Sequence, residues 1–297
     1  MNTAQKLASI SEEDSMGRQK WTEVIKPKVG WFDLNLKEVL KYKDLLFLLV
    51  RRDFIAIYKQ TVLGPIWFFI QPLFATFAFT ILFGRIAEIS TDGLPLVLFY
   101  MSGITLWNYF QDCLLKTSNT FTSNADIFGK VYFPRVIIPI SIVISNLIKF
   151  GLQFIFLMAV WLYFYYIDDA PIYMNKEILL FPFLILMMAG MGLGLGMIIS
   201  SLTTKYRDFQ FMLNFGVQLL MYASPVIVPI SSLPEKYKLF ILLNPMTGII
   251  ETFRYAFLGK GGYNIEHLAY SFGFTVVVLF VGLIIFNRVQ KTFMDTV

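Results

Sequence analysis

Predominantly apolar blocks, each about twenty residues or longer, recur along this chain at residues 62–84, 94–115, 136–166, 178–202, 209–230 and 265–286. A hydrocarbon core about 30 Å thick takes a helix of about 20 apolar residues to cross it. Inside lipid each backbone N–H and C=O must be satisfied within its own segment, which a helix does. Six such blocks predict an all-α polytopic membrane protein with six transmembrane helices. Composition agrees: 57% of the 297 residues are hydrophobic and 15% charged, against about 45–50% and about 25% in a soluble domain. The single cysteine, Cys113, excludes an internal disulfide and a cysteine-rich metal site, and the single histidine, His267, leaves no cluster for a metal or proton relay. A net charge of +5 suits nucleic acid or an anionic lipid surface. Crowding of Lys and Arg ahead of the first block favours lipid, so no nucleic-acid partner is expected.

Residues 1–34 are polar and read as a disordered or weakly ordered cytoplasmic N-terminus, with no apolar stretch of a secretory signal peptide. Asn35 followed by Glu38 forms a capping-box pattern that opens a helix over 35–60. Its apolar centre, residues 45–50, is too short to span and is flanked by Lys41, Lys43, Arg51 and Arg52. Such a helix lies in the interface. The chain then turns at Gly64-Pro65 into a transmembrane domain over 61–290, closed by a tail at 291–297. Counting Lys and Arg outside the blocks gives 18 on the side of both termini and 6 on the other. The positive-inside rule therefore places both termini in the cytoplasm. The segment 231–264 carries Lys236, Lys238, Arg254 and Lys260 on the far side, yet it is too apolar for a free loop. Pro234, Asn244-Pro245 and Gly261-Gly262 divide it into short helices at about 235–243 and 246–258 on the extracytoplasmic face.

Three of the blocks carry aromatic and amide side chains at helical spacing: Trp67, Gln71 and Phe74; Tyr100, Trp107, Asn108 and Gln111; and Phe211, Asn214, Phe215, Gln218 and Tyr222. Rings beside amides suit sugars, whose C–H faces stack while their hydroxyls find hydrogen-bond partners; equally, aromatics fill helix interfaces and interfacial belts. Asn146, Lys149 and Gln153 share one face of the 136–166 block. A charge near mid-bilayer must face protein or water, so Lys149 is a contact for an anionic headgroup or phosphate, half of a structural pair, or a side chain snorkelling to the interface from a span that sits lower. The loop 124–135 mixes Asp126, Phe128, Lys130, Tyr132, Phe133 and Arg135 and reads as a partner-docking helix or a membrane-surface loop. Glu251 and Arg254 stand at ion-pair spacing. In AGMGLGLG (189–196), Gly190/Gly194 and Gly192/Gly196 form small-xxx-small pairs for close helix packing. No GxxxxGK[ST] phosphate loop occurs, so the chain has no P-loop route to ATP hydrolysis.

Two stretches, YKQTVLGPIWFFIQPLF (58–74) and NPMTGIIETFRYAFLG (244–259), resemble the permease subunits of ABC exporters of polysaccharides, the group of O-antigen, capsule and teichoic-acid permeases. The likeness covers about residues 35–290 and implies the type 2 ABC transmembrane domain. It also implies a homodimer in the bacterial inner membrane that binds two copies of a separate ATPase subunit. ATP and Mg would sit in that partner, with no cofactor in this chain. The resemblance gives the 124–135 loop the role of coupling to the ATPase, and the helices of 231–264, with Glu251 and Arg254, the role of a gate. It lines a substrate conduit with Trp67, Gln71, Phe74, Tyr100, Trp107, Phe211, Phe215, Gln218 and Tyr222. The substrate it implies is an undecaprenyl-diphosphate-linked glycan or a teichoic-acid polymer, for whose anionic groups Lys149, Arg51 and Arg52 are candidate contacts. The function expected is export of lipid-linked polysaccharide, O-antigen first, with capsule or teichoic-acid polymer as alternatives. A membrane-embedded transferase acting on lipid-linked sugars would need clustered acids or bases; Asp112, His267, Asp168 and Asp169 are scattered.

Overall fold

The computed structural model describes residues 40–59, 64–131, 133–206 and 208–292. The expectations for residues 1–34, for the capping box at Asn35 and Glu38, for Tyr132 and for 293–297 lie outside the described residues. Among the described residues the chain forms eleven α-helices and no strand. Helix α1 (Lys43–Lys59) carries Asp44 in its first turn and Lys59 in its last, which complements the helix dipole. A 3₁₀ turn, Gly64–Ile66, leads into α2 (Trp67–Phe79), which runs on as a π-helical segment over Thr80–Ile86. Gly64 has φ 51°, a conformation open to glycine at little cost, and it redirects the chain into α2. Then come α3 (Leu96–Ser118), the single turns α4 (Thr120–Ser123) and α5 (Ala125–Phe128), and α6 (Ile137–Tyr166). A 3₁₀ turn at Lys176–Leu180 opens α7 (Phe181–Thr203), followed by α8 (Phe209–Tyr222). Helices α9 (Glu235–Leu242) and α10 (Met246–Leu258) occupy the segment expected to hold two short helices, and α11 (Ile265–Thr292) ends the described chain.

Four helical stretches are long and apolar enough to cross a membrane: Trp67–Ile86, Ile137–Tyr166, Lys176–Thr203 and Ile265–Gln290. The remaining two of the six expected spans differ. Helix α3 has 23 residues, but Asn108, Gln111, Asp112 and Lys116 dilute its apolarity. It carries these side chains because it is the most enclosed of the long helices, with sixteen residues buried against neighbours. The expected span at 209–230 is not one helix. Helix α8 has 14 residues, about 21 Å at about 1.5 Å per residue, and the chain then turns through Ser224-Pro225. Proline restricts the residue before it away from helical backbone, which the apolar pattern concealed.

Helix α7 lies between α3 and α11, and α3 also packs on α6. Glycines permit the close approach. A Cβ on Gly192 or Gly196 would stand 2.7 Å from Cys113 Cβ or 2.5 Å from Thr117 Cβ, both on α3. One on Gly194 would stand 2.7 Å from the backbone of Leu279 on α11. The two overlapping small-residue registers thus serve two different helices. The main core runs through α3, α7 and α10, and a smaller one joins α1, the 121–138 segment, α7 and α11 through Leu49, Phe121, Phe128, Met197 and Phe286.

Candidate functional site

The aromatic–amide side chains expected to line a conduit fall into two groups. Trp67, Gln71 and Phe74 stand on one exposed face of α2. Phe211 and Phe215, 77% and 64% exposed, stand with Gln218 and Tyr222 on one exposed face of α8, and Asn214 joins them. Only Val217 of α8 is buried. Tyr100 and Trp107 correct the expectation: both have 0% exposure. They are core residues of α3, Tyr100 packed edge-on to Phe79 and Phe99, and Trp107 donating Nε1–H to Gln111 Oε1 at 2.9 Å. A side chain enclosed within its own protomer has no surface to offer a substrate.

The polar face of α6 finds its partners inside the chain. Lys149 Nζ lies 2.6 Å from Asp112 Oδ2 on α3 and 5.9 Å from the Phe68 ring on α2. Lys116 Nζ donates to Asn146 Oδ1 at 2.7 Å, and Gln153 Nε2 to the Phe68 carbonyl at 3.1 Å. The anion that meets Lys149 here is a carboxylate of the same chain, so of its three readings the geometry matches the structural pair. The signal was in the sequence, since Asp112 and Lys149 are each a lone charge in neighbouring apolar blocks. The layer pins the start of α2 to α3 and α6. Of the other cationic candidates, Arg52 bonds the adjacent Asp53 at 2.8 Å, and Arg51 is exposed on α1.

The 124–135 segment divides as well. Asp126 and Lys130 are exposed, whereas Phe128 and Phe133 are buried in the smaller core. Arg135 stacks over the Phe128 ring at 5.2 Å and donates to the Gln290 carbonyl at the end of α11. Burial lowers the pKa of its guanidinium. Two turns of helix with charged tips thus rest on an aromatic base tied to α1 and α11.

Arg254, on α10, is 1% exposed. Its guanidinium donates to the carbonyls of Phe99 (3.0 Å), Val226 (3.3 Å) and Pro225 and stacks 3.6 Å above the Phe99 ring. Glu251 Oε1 lies 3.7 Å away, while Oε2 accepts the Gly262 N–H at 2.8 Å. Burial raises the Glu251 pKa and lowers that of Arg254, each offset in part by the other's charge. The expected pair is present, but most of the bonds that hold Arg254 are to main chain. They join α10 to the N-terminal half of α3 and to the turn that follows α8. Spacing could not disclose this, because main-chain acceptors leave no mark in a sequence.

The arrangement is an exposed aromatic and amide face on each of α2 and α8, beside a packed core of α3, α7 and α10. Comparison with known proteins places the whole. The chain is 26% identical over 263 residues to an O-antigen export system permease protein, RfbA, of Klebsiella pneumoniae, covering 88% of this chain and 98% of the relative. It is 22% identical over 264 residues to the capsule polysaccharide export inner-membrane protein CtrC of Neisseria meningitidis serogroup A (86% and 95% covered). It is 23% identical over 242 residues to the polysialic acid transport protein KpsM of Escherichia coli (79% and 89% covered). The family model described as ABC-2 type transporter matches residues 44–258, the interval from α1 to the end of α10 that contains the candidate site side chains, and the chain belongs to that family.

Proposed function

We propose that this chain is the permease subunit of an ATP-driven exporter of lipid-linked polysaccharide, and of O-antigen in particular, in the bacterial inner membrane. The observation that carries the reading is the exposed face of α8, where Phe211, Phe215 and Tyr222 alternate with Asn214 and Gln218. Asn214 Nδ2 donates to the Gln210 carbonyl at 3.0 Å, but the remaining amide donors and acceptors of this face would lack partners against lipid, whereas against a glycan they exchange hydrogen bonds while rings stack on sugar C–H faces. Each contact is weak, so a polymer can advance without being trapped. The relatives support export of a polysaccharide, and those named for O-antigen are covered over nearly their full length.

Two copies of the chain bring the α2 and α8 faces around one path in this reading, and both termini lie in the cytoplasm, as the 18-to-6 bias of basic residues argues. Two ATPase subunits supply ATP and Mg and dock on the 124–135 segment through exposed Asp126 and Lys130. Closure of the ATPases pushes that segment, and the push reaches α2 and α8 through α1 and the core. The test replaces Phe211, Phe215 and Tyr222 together by Ala. Surface polysaccharide falls strongly while co-purification with the ATPase subunit is retained. Unchanged surface polysaccharide would defeat the assignment.

A further inference from the structure

We propose that the apolar cleft between α8, α9, α7 and α11 binds one acyl chain of a phospholipid whose phosphate is met by Lys236. The cleft has a volume of about 400 Å³, within the about 300–1,000 Å³ of small-molecule sites. Buried Phe110 and Met191 form its floor, Leu220 and Phe274 its walls, and exposed Phe240 and Leu243 its mouth. Among the described residues that line it, Asn244 is the one polar side chain, and its bonds are taken. Its Nδ2 donates to the carbonyls of Ala223 (3.0 Å) and Leu220 (3.3 Å), and its Oδ1 accepts the Met246 N–H at 3.0 Å.

A cleft with no unmatched polar group rejects a sugar or a peptide, whose own donors and acceptors would be buried without partners. It accepts hydrocarbon at no such cost. Charge fixes which hydrocarbon. Lys236 and Phe240 stand at i and i+4 on α9, and Leu243, the residue after its last, at i+7, so the three lie on one side, with the Lys236 position one turn above Phe240. Lys236 is exposed, with its Nζ 5.9 Å from the Tyr237 ring centroid, a solvent-facing contact that leaves room for a phosphate, whereas the neighbouring Lys238 is held by Glu235 at 2.6 Å. A phosphate at Lys236 with a tail descending past Phe240 and Leu243 satisfies both ends of one phospholipid. The same pairing accounts for a basic residue on the side of the chain where the bias of Lys and Arg predicts few. The proposal stands whichever polymer the protein carries.

The test places the full-length protein in nanodiscs doped with a phosphatidylglycerol bearing a photoactivatable diazirine midway along one acyl chain, and maps the adducts by peptide mass spectrometry. Adducts at Leu220, Phe240 and Leu243 exceed those at Val277 and Phe280, exposed apolar residues of α11, by several-fold. Ala223→Phe, which fills the cleft, removes that excess. Lys236→Ala lowers it about fivefold, the worth of one basic residue near an anionic headgroup surface. Labelling of Val277 and Phe280 stays constant in both variants and reports that the fold is intact. Equal labelling of the two faces in the parent protein overturns the site, as does an excess that survives both variants. Displacement of the probe by undecaprenyl phosphate but not by phosphatidylglycerol assigns the cleft to a polyprenyl tail and overturns the phospholipid. Absence of adducts at Phe240 and Leu243 while Val277 and Phe280 are labelled overturns the phospholipid site.

Discussion

Helices α8 and α11 both turn large apolar side chains outward, but the two exposed faces are chemically different. Along the middle of α11, from Phe272 to Val281, the exposed side chains are Phe272, Val276, Val277, Phe280 and Val281, with no hydrogen-bonding group among them; Glu266, Tyr270 and Arg288 are exposed nearer its ends. On α8, Phe211, Phe215 and Tyr222 are interleaved with Asn214 and Gln218. Lipid accepts the first face without penalty. It would leave Gln218 and the Oδ1 of Asn214, whose Nδ2 donates to the Gln210 carbonyl, without partners, which favours water, protein or a polar substrate against the α8 face. Exposure alone does not identify a functional surface in a membrane protein; the mixture of polar and aromatic groups on one face does.

This contrast can be tested at several strengths. The largest effect is expected where α8 is moored. Arg254→Leu removes the countercharge of buried Glu251 and the guanidinium bonds to the carbonyls of Phe99, Pro225 and Val226, and stability should drop by about 3–5 kcal/mol. Thermal unfolding in nanodiscs measures the drop. Labelling of a cysteine placed at Tyr222 should rise, while one placed at Val277 stays as it was. Next comes the price of charge on each face. Val277→Lys should cost about 2.5–3.5 kcal/mol on an insertion scale, and Gln218→Lys much less. Equal losses of folded protein in membranes would show that both faces meet lipid.

A smaller effect separates the packed seam of α7 from the open face of α8. Gly194→Ala forces a methyl to 2.7 Å from the Leu279 backbone and should cost about 1–3 kcal/mol. Gly216 on α8 has nothing within 4 Å of an added Cβ, so Gly216→Ala should be neutral or stabilising by up to about 1 kcal/mol through helix propensity. Denaturation midpoints compare the two. The smallest stability change is expected for Phe74→Ala, an exposed site, within about 0.5 kcal/mol. Under the proposed function export should nevertheless fall, because that reading makes the lost ring a contact for the passing chain. An export level equal to that of the parent would remove α2 from the path.

Much of this protein could be read from residue order. The apolar blocks disclosed a helical membrane protein, because a bilayer imposes length and backbone satisfaction on anything that crosses it. Gly190–Gly196 announced close helix packing, and Pro234, Asn244-Pro245 and Gly261-Gly262 marked the ends of α9 and α10, since proline and glycine act on the local chain. Trp67, Phe74, Phe211 and Phe215 were found as helical stripes from their spacing, and their exposure came from the structure. Tyr100 and Trp107 were not separable from them, as a helical stripe has the same period whether it faces the core or the outside. The short length of α8 was hidden because Ser224-Pro225 interrupts a run that stays apolar on both sides.

Local chemistry and periodicity thus define the class, the helices and the candidate faces, since each depends on neighbours within a turn or two of the chain. Long-range packing assigns the partners: Asp112 to Lys149, the carbonyls of Phe99, Pro225 and Val226 to Arg254, and enclosure to α3 rather than to α8. Those pairings join residues 28 to 155 positions apart, and such neighbours exist only once the helices have come together.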